Sequence, residues 1–148
     1  MTQSSGFVAV TSPIHGFGYP SSRYDWNRPT VLVIDDDEDN LALIKYVLEP
    51  FDCLLFCEPG SRAALGLVET IQPNLVLLDI RLPDLTGLEL TRLLKSHPAT
   101  RTIPIIAITA LASSQDKAEI LQAGCSQYIV KPYLLEDMKT LVGDYIAA

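Results

Sequence analysis

The sequence predicts a single α/β domain built on a parallel sheet, and two observations carry that expectation. From residue 30 onward, five short apolar or β-branched runs alternate with five stretches whose apolar residues recur at helical spacing. The runs do not alternate apolar with polar residues. They suit strands buried on both faces, covered by helices that right-handed crossovers carry back over the sheet. A length of 148 residues is enough to build one core.

In chain order, Thr30, Val31, Leu32, Val33 and Ile34 form the first strand and run into the acidic stretch Asp35 to Asp39. Leu41, Ile44, Val47 and Leu48 follow at helical spacing behind Asp39 and Asn40, which serve as the N-cap region, and Pro50 stops the helix after about three turns. Cys53 to Cys57 is the second strand. Ala64, Leu65, Val68 and Ile71 stripe the second helix, which Pro73 ends. Leu75, Val76, Leu77 and Leu78 form a third, central strand that delivers Asp79 at its end. Leu90, Leu93 and Leu94 mark one face of a helix from Leu88 to Lys95, and Ile105 to Ile108 is the fourth strand. Ala118, Ile120, Leu121 and Ala123 make a weaker helix that stops at Gly124, a suitable residue just past a helix end. Tyr128, Ile129 and Val130 form the fifth strand, and Leu135, Met138, Leu141, Val142 and Tyr145 stripe the last helix.

Residues 1–28 are rich in Ser, Gly, Pro and Thr and read as a tail without a fixed fold of its own, leaving residues 29–148 as the domain. Phe7, Phe17, Tyr19, Tyr24 and Trp26 are many aromatics for such a tail. No internal repeat appears, and with the last helix at the end of the sequence no output domain is expected.

The formal charge of −7 and the scatter of the eleven Lys and Arg argue against a nucleic-acid surface. No apolar run reaches membrane-spanning length and no secretory signal opens the chain, so a soluble cytoplasmic protein is expected. Cys53, Cys57 and Cys125 sit in apolar runs at spacings that match no disulfide framework or metal motif, and are expected as reduced core thiols. His15 and His97 have no partner signature, and Glu136 with Asp137 suits a solvated helix start.

The chemistry gathers at the strand ends, where open parallel sheets bind their ligands. Taken alone, Asp79 reads more readily as a strand-ending cap for the next helix. Yet Asp35 and Asp36 follow the first strand, Thr109 ends the fourth, and Lys131 follows the fifth. Three carboxylates in one crevice repel one another unless a cation joins them, and an all-oxygen ligand set favours a hard divalent ion, Mg²⁺ by default inside cells. The Lys131 ammonium and the Thr109 hydroxyl supply the donors that a second, anionic ligand needs, and phosphate fits.

With those residues in place, residues 30–147 resemble the receiver domain of two-component response regulators, in its single-domain form. The resemblance rests on Asp35 and Asp36 after the first strand, on the motif from Leu78 through Asp79, Arg81, Pro83 and Asp84 to Gly87, on Thr109 between Ile108 and Ala110, and on Lys131 between Val130 and Pro132. It implies a flavodoxin-like (βα)5 fold, doubly wound, with a five-stranded sheet in the order 2-1-3-4-5 and helices on both faces. It further implies that Asp79 takes a phosphoryl group from a histidine kinase or a histidine phosphotransfer protein. Mg²⁺ would be held by Asp36 and Asp79, with Asp35 assisting through water and the backbone carbonyl of Arg81 as a third protein ligand. Thr109 and Lys131 would meet the phosphoryl oxygens, and Pro132 would follow a cis bond. Thr109 and Tyr128 would form a switch read by a downstream protein on the face of the fourth helix, fifth strand and fifth helix, where Leu111 and Ile120 contribute. Such a protein catalyses only its own phosphorylation and dephosphorylation and is not otherwise an enzyme. Leu82 stands where many receivers carry Met. Arg81 and Leu111 occupy variable positions that tune dephosphorylation, with Arg81 either shielding the phosphate from water or contacting it.

Three rivals fit less well. An EF-hand beginning at Asp35 fails because Asn40 replaces Gly at the sixth place and Tyr46 replaces Glu at the twelfth. A phosphatase using Asp35 and Asp37 lacks a cap domain and the residue expected after its motif. A degenerate receiver acting only as a protein-binding module ranks second, since every phosphorylation residue is present.

Overall fold

The computed structural model describes residues 8–11 (backbone only), 28–82, 84–110 and 113–146. The elements are β1 (Val8–Thr11), β2 (Thr30–Ile34), α1 (Glu38–Leu48), β3 (Leu54–Glu58), α2 (Ser61–Ile71), β4 (Leu75–Asp79), α3 (Gly87–Ser96), β5 (Ile105–Thr109), α4 (Ser114–Ala123), β6 (Gln127–Val130) and α5 (Leu135–Ile146). All strand pairs are parallel, in the order β1-β3-β2-β4-β5-β6. The five expected strands therefore stand in the expected order 2-1-3-4-5.

The sheet is one strand wider than expected, because Val8–Thr11 pairs along the outer edge of β3. The physical reason is that β3 would otherwise present a row of unpaired backbone groups, and a short segment containing Val8, Val10 and Thr11 suits an edge strand. The tail thus contributes one element. Its aromatics, Phe7, Phe17, Tyr19, Tyr24 and Trp26, lie outside the described residues. Arg28, also assigned to the tail, is tied to the domain: its Nε lies 3.0 Å from Asp52 Oδ1, and its guanidinium donates to the Cys53 carbonyl at 3.4 Å.

The unbroken apolar runs become strands buried along their whole length in β2, β3, β4 and β5. Successive side chains serve opposite faces. Leu32, Ile34, Phe56, Leu78 and Ala107 pack under Leu67, Leu90 and Ile120 of α2, α3 and α4. Val31, Val33, Leu77, Ile106 and Ile108 pack under Ile44, Val47, Met138 and Val142 of α1 and α5. Each large side chain buried this way stabilises the fold by roughly 1.5–3 kcal/mol before entropy is counted.

Two helix starts differ from the sequence reading. The N-cap of α1 is Asp37, whose carboxylate accepts the Asp39 N–H at 2.8 Å, and not Asp39 or Asn40. In α4 the cap is Ser113, locked by a reciprocal bond with Asp116, so the helix begins before its apolar stripe. Gly124 ends α4 at φ +118°, a backbone setting that favours glycine. Cys53, Cys57 and Cys125 are buried and unpaired as expected, and burial pushes the thiols of Cys53 and Cys57 up to about 11. Among the described residues, no helix is long and apolar enough to cross a membrane.

Candidate functional site

The strand register brings the expected residues to one edge. Ile34 pairs with Leu78, Asp79 with Ile108, and Thr109 with Val130, so the residues following β2, β4 and β6 emerge level with one another. One carboxylate oxygen from each of Asp35, Asp36 and Asp79 falls within 4.8 Å of the other two. Asp35 and Asp79 are buried and Asp36 is exposed, which gives the cluster a closed floor and an open side. Lys131 follows β6, its peptide bond to Pro132 is cis, and its Nζ lies 3.7 Å from Asp79 Oδ2. Its backbone N–H donates to the Thr109 carbonyl at 2.7 Å, fixing the lysine beside the end of β5. Thr109 itself is buried.

Local bonds orient the acids. Asp79 Oδ1 accepts the Arg81 N–H at 2.9 Å, and Asp35 Oδ1 accepts the Asp37 N–H at 2.9 Å. The other oxygen of Asp35 is buried without a hydrogen-bond partner among the described residues. Burial pushes the Asp35 carboxyl up to about 6 against the pull of the Asp37 N–H, and the neighbouring Asp79 charge adds to the rise. A buried carboxylate oxygen without a hydrogen-bond donor among the described residues, close to two further carboxylates, offers oxygen ligands suited to a hard divalent cation, and Mg²⁺ fits them. Beside the cluster, Asp36, Ile80, Arg81, Leu82, Thr86 and Leu88 line an open cleft of about 470 Å³. Arg81 is therefore at the site, with its N–H committed to Asp79.

Tyr128 pairs with Ala107, two residues before Thr109 on β5, so Tyr128 and Thr109 lie on the same sheet face. Its half-buried ring packs on the α2–α4 side of the core, and the Lys117 ammonium stands 5.7 Å from the ring centroid. Ile120, expected on the partner face, is instead turned into the core. Leu111 lies outside the described residues.

Three contacts escaped the sequence reading, two of them made by residues it named only as parts of the motif. Gly87 opens α3 pressed against the phosphoacceptor strand's exit: a Cβ there would sit 2.7 Å from Ile80 Cα and 2.8 Å from the Asp79 carbonyl oxygen. Lys117 has no spacing signal linking it to Tyr128. Asp84 bonds across the fold to Ser61 at 2.6 Å, and that hydroxyl holds its carboxyl well below the usual range.

Known proteins resemble this chain in sequence and in fold. Residues 31–143 match the response regulator receiver domain family. The polar-differentiation response regulator DivK of Brucella anthropi is 36% identical over 119 residues, covering 78% of this chain and 97% of that protein. The receiver domain of the sensor histidine kinase PA1611 from Pseudomonas aeruginosa PAO1, solved with a magnesium ion coordinated in its active site cleft, superposes with a TM-score of 0.74 at 27% identity, covering 82% of this chain and 99% of that one. A two-component response regulator from Clostridium difficile gives 0.73 at 27% identity, over 80% and 95% of the two chains.

Proposed function

The chain belongs to the response regulator receiver domain family, and from that premise we propose that it is a phosphoacceptor whose Asp79 carboxylate takes a phosphoryl group from a phosphohistidine. The donor is a histidine kinase or a histidine phosphotransfer protein, and the setting is the cytoplasm. In the transfer, a bond forms between a carboxylate oxygen of Asp79 and phosphorus while the phosphorus–nitrogen bond of the donor breaks and the imidazole leaves. Water later cleaves the acyl phosphate and restores the carboxylate.

Phosphoryl transfer needs in-line positioning and neutralisation of charge on the moving group. Asp35, Asp36 and Asp79, with the Arg81 carbonyl, would hold Mg²⁺, which when bound supplies positive charge to the phosphoryl oxygens. Lys131 supports this role from its own place: its ammonium already pairs with Asp79 Oδ2 and adds a second positive charge there. The Thr109 hydroxyl, at the neighbouring strand end, donates to a phosphoryl oxygen. The Arg81 N–H on Asp79 Oδ1 fixes the rotation of the carboxylate before any donor arrives.

One observation carries the reading: three carboxylates converge within 4.8 Å, with the Lys131 ammonium 3.7 Å from the central one. The experiment is incubation with acetyl phosphate and Mg²⁺, followed by mass spectrometry of the intact protein and its peptides. One phosphoryl group per chain is expected, mapped to Asp79, dependent on Mg²⁺ and absent in Asp79→Ala. Persistence of the adduct in that variant refutes the assignment, and its absence from the wild type leaves a module that binds partners without phosphorylation.

A further inference from the structure

Helix α2 starts without a cap of its own. Its N-cap is Gly60, which has no side chain to offer the first-turn N–H groups. Those groups are met from elsewhere: Asp84, 23 residues further on, accepts the Ser61 N–H at 3.4 Å through Oδ1 and the Arg62 N–H at 3.3 Å through Oδ2. The Ser61 hydroxyl, wholly buried, completes the tie. It lies 2.6 Å from Asp84 Oδ1 and 2.7 Å from the Leu85 carbonyl oxygen, donating its one proton to either, and it accepts the Leu85 N–H at 3.0 Å. The segment joining Asp79 to α3 is thus clamped to the start of α2.

The other end of that segment is tied to the site. Ile80 N–H donates to the Ile108 carbonyl at 3.1 Å, Arg81 N–H to Asp79 Oδ1 at 2.9 Å, and Gly87 N–H back to the Ile80 carbonyl at 3.0 Å. The stretch carrying the Arg81 backbone therefore runs only a few residues between two anchors. Losing the Asp84 carboxylate would leave the Ser61–Leu85 and Gly87–Ile80 bonds but take away the anchor nearest to Arg81. We propose that Asp84 is a positioning residue for the phosphoryl-transfer site, acting through its bonds to Ser61 and the α2 N-terminus to hold the Arg81 backbone against Asp79. This rests on the reading of the site as a Mg²⁺-dependent phosphoacceptor, but its geometry is independent of any ion.

A plain structural cap would give the same loss of stability, so the test separates the two. Asp84→Ala removes the cap and the carboxylate's part of the clamp, leaving the Ser61 hydroxyl on the Leu85 backbone. Adding Gly60→Ser returns a cap from α2's own chain, since Gly60 has an extended backbone at φ −113° and its added Cβ meets nothing closer than 3.8 Å. The double variant is expected to recover the unfolding midpoint lost in Asp84→Ala. Its Arg81 amide should nonetheless exchange with solvent about tenfold or more faster than in the metal-free wild type, because local opening is what the clamp opposes. Mg²⁺ affinity, measured by calorimetry, should stay about tenfold or more weaker, the range typical when a group that orients a metal ligand is lost. Wild-type Arg81 exchange in the double variant overturns the proposal. Lack of Mg²⁺ binding by the wild type sinks the phosphoacceptor reading instead, while the exchange rate still decides the clamp.

Discussion

Asp35 is the buried group whose titration the site makes most visible. The residue is only 1% exposed and its pKa rises from 3.8 to about 6, burial being the largest cause. A raised carboxyl pKa means that between those values the folded chain binds more protons than the unfolded one. Stability from this group is therefore fully present below pH 3.8 and is lost as pH rises through about 6. A shift of this size corresponds to roughly 3 kcal/mol. In chelator-treated protein, urea unfolding should show the wild type losing roughly that much more stability from pH 4 to 7 than Asp35→Asn, whose Oδ1 still accepts the Asp37 N–H. Parallel pH profiles for the two proteins would remove Asp35 as the source. Asp35, Asp36, Asp79, Thr109 and Lys131 were all legible in the sequence because each ends or follows a strong apolar run, and the topology of a parallel sheet gathers such ends. Asp84 and Gly87 were legible only as members of the motif, because what they do is set by contacts across the fold: a serine 23 residues upstream and a backbone that an added Cβ would meet at 2.7 Å.

At the scale of elements, β6 and α4 carry the proposed readout. Thr109 and Tyr128 share a sheet face, and Lys117 from α4 stands over the Tyr128 ring, so the ring sits between that helix and the strand that ends in Thr109. A phosphoryl group on Asp79 gives the Thr109 hydroxyl a strong acceptor. Its movement inward would leave room for the half-buried ring, whose fuller burial would be worth at most about half of the roughly 1.5–3 kcal/mol of complete burial, enough to shift a two-state population. With a beryllofluoride phosphate mimic bound, amide shifts along β6 and α4 should change in the wild type and change far less in Thr109→Ala. Unchanged wild-type shifts, with the mimic proven at Asp79, would leave a phosphoacceptor without this switch. The helices themselves were readable to differing degrees. The apolar stripes of α2 and α3 marked their buried faces only in part, since Ala64, Val68, Leu90 and Leu94 are buried but Leu93 is exposed and the buried Leu67 and Thr91 lay outside the stripes, whereas the start of α4 depended on Ser113 and Asp116, a capping pair visible in the sequence but overshadowed by the weak stripe behind it. The exposure of Leu121 beside the buried Ile120 shows why a weak stripe misassigns faces: neighbouring apolar residues on a helix point about 100° apart, and only contacts decide which one is core.

For the whole molecule, the order of the five central strands came with the family resemblance, since spacing alone predicts alternation but not which strands are neighbours. The sixth was illegible for a different reason. Val8–Thr11 is a four-residue run with no helical pattern behind it, and its reason for being a strand is the open edge of β3, which only the assembled sheet reveals. β1 is separated from β2 by β3, while the acid cluster stands at the ends of β2 and β4, so the edge strand and the chemistry are separable. A chain beginning at Arg28 should keep the central five strands and its Mg²⁺-dependent phosphorylation. It should lose about 1–3 kcal/mol of stability, the net of a few backbone hydrogen bonds against the entropy of ordering the segment. It should also associate at high concentration through the bared edge of β3. Urea unfolding and sedimentation velocity check both effects. An unfolded truncated chain would make β1 part of the core, and a truncated chain that is as stable and as monomeric as the full one would show that the edge of β3 needs no cover.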